Sequence, residues 1–107
     1  MEIDDEADTV TLIWQTDHSL TQPASIFVHL LDDSGQLLNQ VDGVPYDGLY
    51  PLPNWRPNHP FTDLRQLDGL SPTSNVSIGI YDPTTGQRLI AVDSAGNRLL
   101  NDALVVP

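Results

Sequence analysis

The residues best suited to bind a ligand lie in one long connection, from Asp42 to Pro60. Five of the nine prolines fall in this stretch, together with most of the chain's tyrosines. Ligand sites combine aromatic faces with a few well-placed polar groups, and sugars in particular stack on aromatic rings. The candidate ligand-binding residues are therefore Tyr46, Asp47, Tyr50, Trp55 and Arg56.

A second interpretation of the same loop is structural. Long connections without secondary structure are uncommon, and they are usually either functional or ordered by their own packing. Prolines flank Tyr50 and Trp55 at positions 51, 53 and 57, so these rings can pack a stiff loop onto the body of the domain. We expect Tyr50 and Trp55 to act as anchors, and Tyr46, Asp47 and Arg56 to face a partner.

Three short segments share a turn pattern, in which an aspartate follows an apolar run and a glycine follows the aspartate. They are residues 31–36, 81–87 and 92–97. An aspartate at a strand end accepts hydrogen bonds from nearby backbone amides, and glycine supplies the positive φ that closes the turn. The pattern predicts three hairpins.

The same turns carry hard oxygen ligands. Asp32, Asp33 and Asp82 could contribute to a weak calcium site, although none of them fits the D-x-[DN]-x-[DN]-G loop with its closing acid. Ordinary turn aspartates are the favoured interpretation, and weak calcium binding is the alternative.

Catalytic patterns are missing from the sequence. There is no cysteine, and His18, His29 and His59 are too far apart in sequence to resemble a zinc site. No nucleophile elbow or phosphate-binding glycine loop occurs, and the turn carboxylates do not suit glycoside hydrolysis. We expect no catalytic residue, no cofactor and no enzyme activity.

The apolar residues fall in short runs of strand length. Val10, Leu12 and Trp14 alternate with Thr9, Thr11 and Ile13, the period of two that indicates a strand with one buried face. About seven such runs occur, at residues 9–16, 25–31, 36–41, 61–67, 75–81, 88–92 and 101–106. They predict an all-β, immunoglobulin-like antiparallel β-sandwich of about seven strands with one long proline- and aromatic-rich loop.

Length and charge narrow the class further. The 107 residues suit a single sandwich domain at 8–107 after an acidic tail at 1–7. Four basic against fifteen acidic residues give a net charge of −11, which repels phosphate backbones and anionic lipids and argues against nucleic acid as a partner.

No stretch is apolar enough to insert into a membrane, and the N-terminus does not resemble a signal peptide. We therefore expect either a cytoplasmic protein or a piece of a longer chain.

Two stretches carry the motifs of a known family. IFVHLLDDSGQLLNQVDGVPYDGLYPLPNWRP, from residue 26, and IGIYDPTTGQRL, from residue 78, follow each other in the family's order. Together they resemble the small β-sandwich domain at the C-terminal end of many multi-pass bacterial membrane glycosyltransferase-like proteins of the mannosyltransferase type. The matching positions are Phe27 to Asp32, Asp42, Gly43, Pro45, Gly48, Tyr50, Pro51, Trp55, Pro57 and Gly79 to Leu89. Asn58 and His59 stand where the family's W-x-P-G-E has glycine and glutamate.

The resemblance implies a position for the domain. It implies a non-catalytic appendage on the extracytoplasmic face of a parent membrane protein, contacting glycan, lipid-linked sugar or a neighbouring protein. Under this interpretation residues 1–107 are part of a longer chain. The alternative is a cell-surface adhesion or protein-interaction module, assisted by calcium.

Overall fold

Two antiparallel sheets make up the structure, a computed structural model that describes residues 1–46 and 48–107. The seven strands of this part of the chain are β1 (Glu2–Asp4), β2 (Thr9–Trp14), β3 (Ser25–Leu31), β4 (Leu37–Gln40), β5 (Phe61–Gln66), β6 (Asn75–Tyr81) and β7 (Leu104–Val106). One sheet has the order β1-β2-β5, and the other has the order β4-β3-β6-β7. This order matches an immunoglobulin-like arrangement, so the predicted all-β sandwich is confirmed.

The alternation in β2 places its two faces as predicted. Val10 and Leu12 are buried in the core between the sheets, whereas Ile13 is 65% exposed. The central strand β3 is buried on both faces, because Phe27 on the outward face is only 3% exposed. The rest of the core cluster comes from β6, from the loops and from the residue after β5: Leu52, Trp55, Leu67, Leu70, Val76 and Ile78.

Phe27 lies over the cross-strand position Gly79 of β6. A Cβ atom at position 79 would overlap the Phe27 ring and approach the carbonyl oxygen of Asp102. On the other side, the guanidinium of Arg88 lies 4.1 Å from the ring centroid. Glycine at position 79 therefore allows an aromatic ring to be buried on the outer face of the sheet.

The three predicted turns form, but they differ in what they join. Residues 31–36 connect β3 to β4, whereas the other two turns are closed by single bridges, Tyr81 to Arg88 and Val92 to Arg98. The prediction of a strand at residues 88–92 is therefore wrong. Residues 88–92 make isolated backbone hydrogen bonds, such as the one that the Leu89 amide donates to the Ile80 carbonyl at 2.8 Å. The side chains of Ile90 and Val92 are exposed.

The acidic start of the chain contains a strand. Glu2, Ile3 and Asp4 pair with Thr11, Val10 and Thr9. The Asp4 carboxylate then accepts hydrogen bonds from the amides of Glu6 and Ala7, which turn the chain back into β2. Within the described residues, no helix is long and apolar enough to cross a membrane.

Candidate functional site

The long loop is ordered by its aromatic rings. Tyr50 and Trp55 each meet the ring of Phe61 edge-on, with centroids 4.9 and 4.8 Å apart. Trp55 is only 4% exposed, and its Nε1 donates to the carbonyl of Tyr50 at 3.0 Å. The Tyr50 amide donates to the carbonyl of Pro45 at 3.1 Å. In the structure, Tyr50 and Trp55 thus pack the loop against the sandwich.

The other predicted ligand residues spread along the loop. Tyr46 is 50% exposed, and its hydroxyl donates to the carbonyl of Thr62 at 2.7 Å, across the edge of β5. Arg56 is exposed at the far side of Tyr50. Asp47 lies outside the described residues. Among the described candidate residues, Trp55 is buried and Tyr50 is half-buried, so Tyr46 and Arg56 are the two that are exposed to a partner.

A more concentrated set of groups surrounds Trp14, at the end of β2. The Nε1 of Trp14 donates to Oδ2 of Asp63 at 3.0 Å, and Nε of Arg65 donates to the same oxygen at 3.0 Å. Both charged side chains are buried, at 1% exposure for Asp63 and 6% for Arg65. They lie two residues apart on β5, so both point into the core.

Arg65 extends this network to the start of the long loop. Its Nη1 donates to the carbonyl of Val41 at 3.0 Å, and its Nη2 donates to the carbonyl of Gly43 at 2.8 Å. The buried charges are therefore paired and hydrogen-bonded, as burial requires. Since a fully satisfied polar network is rigid, it fixes the orientation of the Trp14 indole from inside the protein.

The outer side of Trp14 forms one wall of a cleft of about 470 Å³ at the end of the sandwich. Trp55 stands 5.9 Å from Trp14, centroid to centroid, at 42°. The segment between β2 and β3 supplies amide, hydroxyl and imidazole groups, and Asp82 adds a carboxylate. The polar residues around this cleft are Gln15, Thr16, His18, Ser19, Thr21, Gln22 and Asp82.

Local hydrogen bonds shape the segment that carries these polar groups. The Thr16 hydroxyl donates to the carbonyl of His18 at 2.8 Å. The side chain of His18 contacts Asp17, and the hydrogen bond from this imidazole lowers the pKa of the Asp17 carboxyl. Among the described residues that line the cleft, there is no lysine or arginine. The lining also includes the apolar residues Leu20, Pro23, Ala24, Leu52, Ile80 and Leu89. We call this cavity the Trp14 cleft.

No protein-family model, curated protein or solved structure matches this chain.

The aspartates weighed for calcium serve the turns in which they lie. Oδ1 of Asp32 accepts hydrogen bonds from the amides of Ser34 and Gln36 and from the Ser34 hydroxyl, at 2.8 to 2.9 Å. The amide of Gln36, followed by the Ser34 hydroxyl, lowers the pKa of Asp32. Asp82 accepts from the Thr84 amide at 2.8 Å, and Asp33 is exposed. Over residues 1–46 and 48–107, no three acidic, histidine or cysteine side chains cluster as metal ligands.

The alternation in residues 9–14 predicts a buried face that includes Trp14, and it does not indicate a ligand site there. Period two in FTDLRQL places Asp63 and Arg65 on the same face as Phe61 and Leu67, and such a buried charged pair signals a polar partner nearby. The run of small polar residues after Trp14 was the second available signal.

Proposed function

We propose that this domain is a non-catalytic carbohydrate-binding β-sandwich, and that the Trp14 cleft is its recognition site. The observation that carries this proposal is the presence of a hydrogen-bonded indole and the neutral polar side chains of residues 15–22 in one cavity. Trp14 offers an aromatic wall whose Nε1 is fixed by Asp63 at 3.0 Å. Gln15, Thr16 and Gln22 offer amides and a hydroxyl beside it.

Sugars suit such a cavity because they have two kinds of surface. Their C–H faces stack on aromatic rings, and their hydroxyls both donate and accept hydrogen bonds. Amide and hydroxyl side chains match this mixed demand, since each can donate and accept. The size of the cleft suits one or two sugar rings.

The charge of the domain selects a neutral ligand. The net charge of −11 and the absence of lysine and arginine from the described lining of the cleft disfavour phosphorylated or carboxylated sugars. Asp82 at the cleft accepts hydrogen bonds from sugar hydroxyls without needing a cationic partner. We therefore expect neutral hexose units to bind in preference to anionic ones.

The cellular role rests on the family resemblance of residues 26–57 and 78–89. Under that resemblance, the domain is an extracytoplasmic accessory to a membrane glycosyltransferase-like protein. A non-catalytic sugar-binding domain in that position would hold glycan, or the sugar part of a lipid-linked sugar, close to the parent enzyme. The calcium-assisted adhesion alternative is less favoured, because no three acidic, histidine or cysteine side chains cluster as metal ligands over residues 1–46 and 48–107.

The test is a titration with neutral mannose-, glucose- and galactose-based oligosaccharides followed by two-dimensional NMR. We expect shifts concentrated at the backbone amides of residues 15–22 and 24, since Pro23 has no amide proton. Gln22→Ala should weaken binding about fivefold, the equivalent of one lost hydrogen bond. Gln36→Ala, at an exposed glutamine in the turn between β3 and β4, is the matched control and should bind as the wild type does. If the whole panel leaves residues 15–24 unmoved, the proposal fails.

A further inference from the structure

The free edge of β5 lies on the side of the sandwich where the long loop joins the two sheets. β5 is the last strand in the order β1-β2-β5, so it pairs with β2 on one side only. β4 occupies the same side of the facing sheet, because Arg65 of β5 donates to the carbonyls of Val41 and Gly43, just after β4. β1 and β7 lie at the opposite edges of the two sheets. Pairing with β5 therefore does not follow the line of the first or the last strand.

The backbone groups of β5 face β2 and the free edge in alternation. The amide of Leu67, the residue after β5, donates to the carbonyl of Asp8 at 2.7 Å, so the odd-numbered residues of β5 bond to β2. The even-numbered residues then direct their N–H and C=O groups away from β2. The Tyr46 hydroxyl reaches the Thr62 carbonyl from that side, at 2.7 Å, which agrees with this direction.

Side chains cover both ends of the free edge and leave its middle open. The Thr62 end is covered by the tyrosine hydroxyl, and at the other end the Asn39 side chain donates to the carbonyl of Asp68 at 3.0 Å. Between these ends, no residue in the described part of the chain bonds to the N–H and C=O groups of Leu64 and Gln66. These backbone groups are open to a partner.

The side chains beside this open stretch are apolar and acidic. Leu64 points outward and is 64% exposed. Gln66 follows on the same face, and its Nε2 donates to Oδ1 of the exposed Asp68 at 3.2 Å. Across the sheet, the cross-strand register brings Glu2 into the row of Leu64 and Asp4 into the row of Gln66. The face that adjoins the free edge therefore carries negative charge beside one exposed leucine.

We propose that the free edge of β5 pairs with an extended segment of another protein, which places an apolar side chain beside Leu64 and a lysine or arginine beside Asp68. Strand addition satisfies edge groups by main-chain hydrogen bonds, and the side chains on one face give specificity. Residues two apart in the added strand share that face, as this arrangement requires. The net charge of −11 favours a basic segment and speeds its encounter. This partner is independent of any sugar bound in the Trp14 cleft.

The strand itself is suited to accept a neighbour. β5 pairs with β2 in one continuous register from Phe61 to Gln66, without a bulge, and it contains no proline. Its charged residues, Asp63 and Arg65, point inward and are paired with each other at 3.0 Å, so they offer no unpaired charge to an added strand. The edge strand β4, in contrast, meets a register shift between Leu30 and Leu31 of β3. β5 is therefore the more regular edge on this side of the sandwich.

The probe for the experiment is a short synthetic peptide in which threonine alternates with one valine and one lysine, placed two residues apart at the centre. It is added to the intact chain, and amide exchange with solvent is followed by NMR. We expect the amides of Leu64 and Gln66 to exchange more slowly when the peptide binds. The amides of Asp63 and Arg65 already face β2 and should change little. Only strand pairing produces this alternation, since a contact through side chains alone leaves the edge amides open.

Two control peptides separate strand pairing from charge. One has proline in place of the central valine and cannot donate in the ladder at that position. The other has glutamate in place of lysine and opposes the negative field of the domain. Both should bind at least about tenfold more weakly than the valine and lysine peptide.

Two exposed apolar residues of the same sheet provide matched protein variants. Leu64 is 64% exposed on the edge strand, and Ile13 is 65% exposed on the same face of the central strand β2. Leu64→Thr should weaken peptide binding about three- to fivefold, the range of one cross-strand apolar pair. Ile13→Thr should bind as the wild type does, because β5 lies between this position and the added strand.

Four results would overturn the proposal. The first is no binding of the valine and lysine peptide at millimolar concentration, and the second is equal binding of the proline peptide. The third is binding that leaves the amides of Leu64 and Gln66 unprotected. The fourth is concentration-dependent dimerisation in sedimentation that protects the same amides without peptide, since the occupant would then be a second copy of the chain.

Discussion

The indole nitrogen of Trp14 donates a 3.0 Å hydrogen bond to the carboxylate of Asp63, which is only 1% exposed. The two residues come from adjacent strands, and Arg65 holds the same carboxylate oxygen from the other side. The Trp14 ring, which lines the Trp14 cleft, is thus held in place by a charge pair inside the core. This relationship links the stability of the fold to the geometry of the candidate site.

The first prediction concerns the charge of Asp63. Asp63→Asn removes the counter-charge of Arg65, and a buried unpaired charge costs about 3 kcal/mol or more. We expect the free energy of unfolding to fall by that amount, measured by urea denaturation followed by tryptophan fluorescence. Asp33→Asn, in an exposed turn position, is the control and should change the free energy of unfolding by less than about 0.5 kcal/mol. A cost below about 1 kcal/mol at position 63 would show that the pair is not closely coupled.

Gly79 provides a second prediction, which tests close packing. Gly79→Ala places a methyl group against the Phe27 ring and the Asp102 carbonyl, and such overpacking costs about 1–3 kcal/mol. Replacing the ring in the double variant Phe27→Leu and Gly79→Ala opens room for the methyl group. The two changes should therefore be non-additive in a double-mutant cycle of unfolding free energies. Simple additivity would mean that the clash involves the backbone alone.

The third prediction concerns the contribution of the Asp102 carboxylate to stability at different pH values. The hydrogen bond from Arg98, followed by the amide of Ala91, lowers the pKa of Asp102 from an ordinary value of 3.8 to about 2. The unfolded chain therefore takes up this proton at a higher pH than the folded chain does. The stabilisation is complete above about pH 4 and is lost as the pH falls from about 4 towards 2.

The measurement for Asp102 is the urea midpoint of the wild type and of Asp102→Asn across this range. We expect the difference between the two proteins to shrink as the pH falls. Arg98→Gln should remove most of the same pH dependence, because it removes the largest cause of the shift. A difference that stays constant down to pH 2 would contradict the assignment.

The turn aspartates give a fourth prediction. Asp32→Ala removes the acceptor of three hydrogen bonds and should lower the thermal midpoint, whereas Asp32→Asn keeps an oxygen in place and should lower it less. Millimolar calcium should leave the thermal midpoint of the wild type unchanged, because this carboxylate is occupied by its own turn. A calcium-dependent rise that disappears in both variants would restore the metal interpretation.

Much of the fold could be predicted from local patterns. Alternation identified β2 correctly, and the aspartate and glycine spacing identified the turn after β3, because both signals act within a few residues. The same kind of local signal predicted a strand at 88–92, and that prediction is wrong. The residue types at 88–92 favour a strand. In the fold, however, this segment makes only isolated backbone hydrogen bonds with its neighbours, and the local sequence does not indicate whether a continuous partner strand will lie beside it.

The position of the candidate site is harder to predict from the sequence than the fold is. The aromatic loop drew attention by its composition, yet Trp55 is buried and Tyr50 packs beside it. The Trp14 cleft is formed by β2, the segment after it and Asp82, which lie far apart in the chain. Only the three-dimensional structure shows that a hydrogen bond to Asp63 holds the Trp14 indole in one orientation.

The most direct test of sugar recognition is the NMR signal of the Trp14 indole N–H during titration with neutral oligosaccharides. Its hydrogen bond to Asp63 keeps this proton in one environment, so a sugar stacked on the ring should shift the signal in a saturable way. The amides of Gln15 and Gln22 should move with the same apparent affinity, and the Trp55 indole signal should move less. If the Trp14 signal stays fixed while the sugars shift residues elsewhere, or shift none, the Trp14 cleft is not the recognition site.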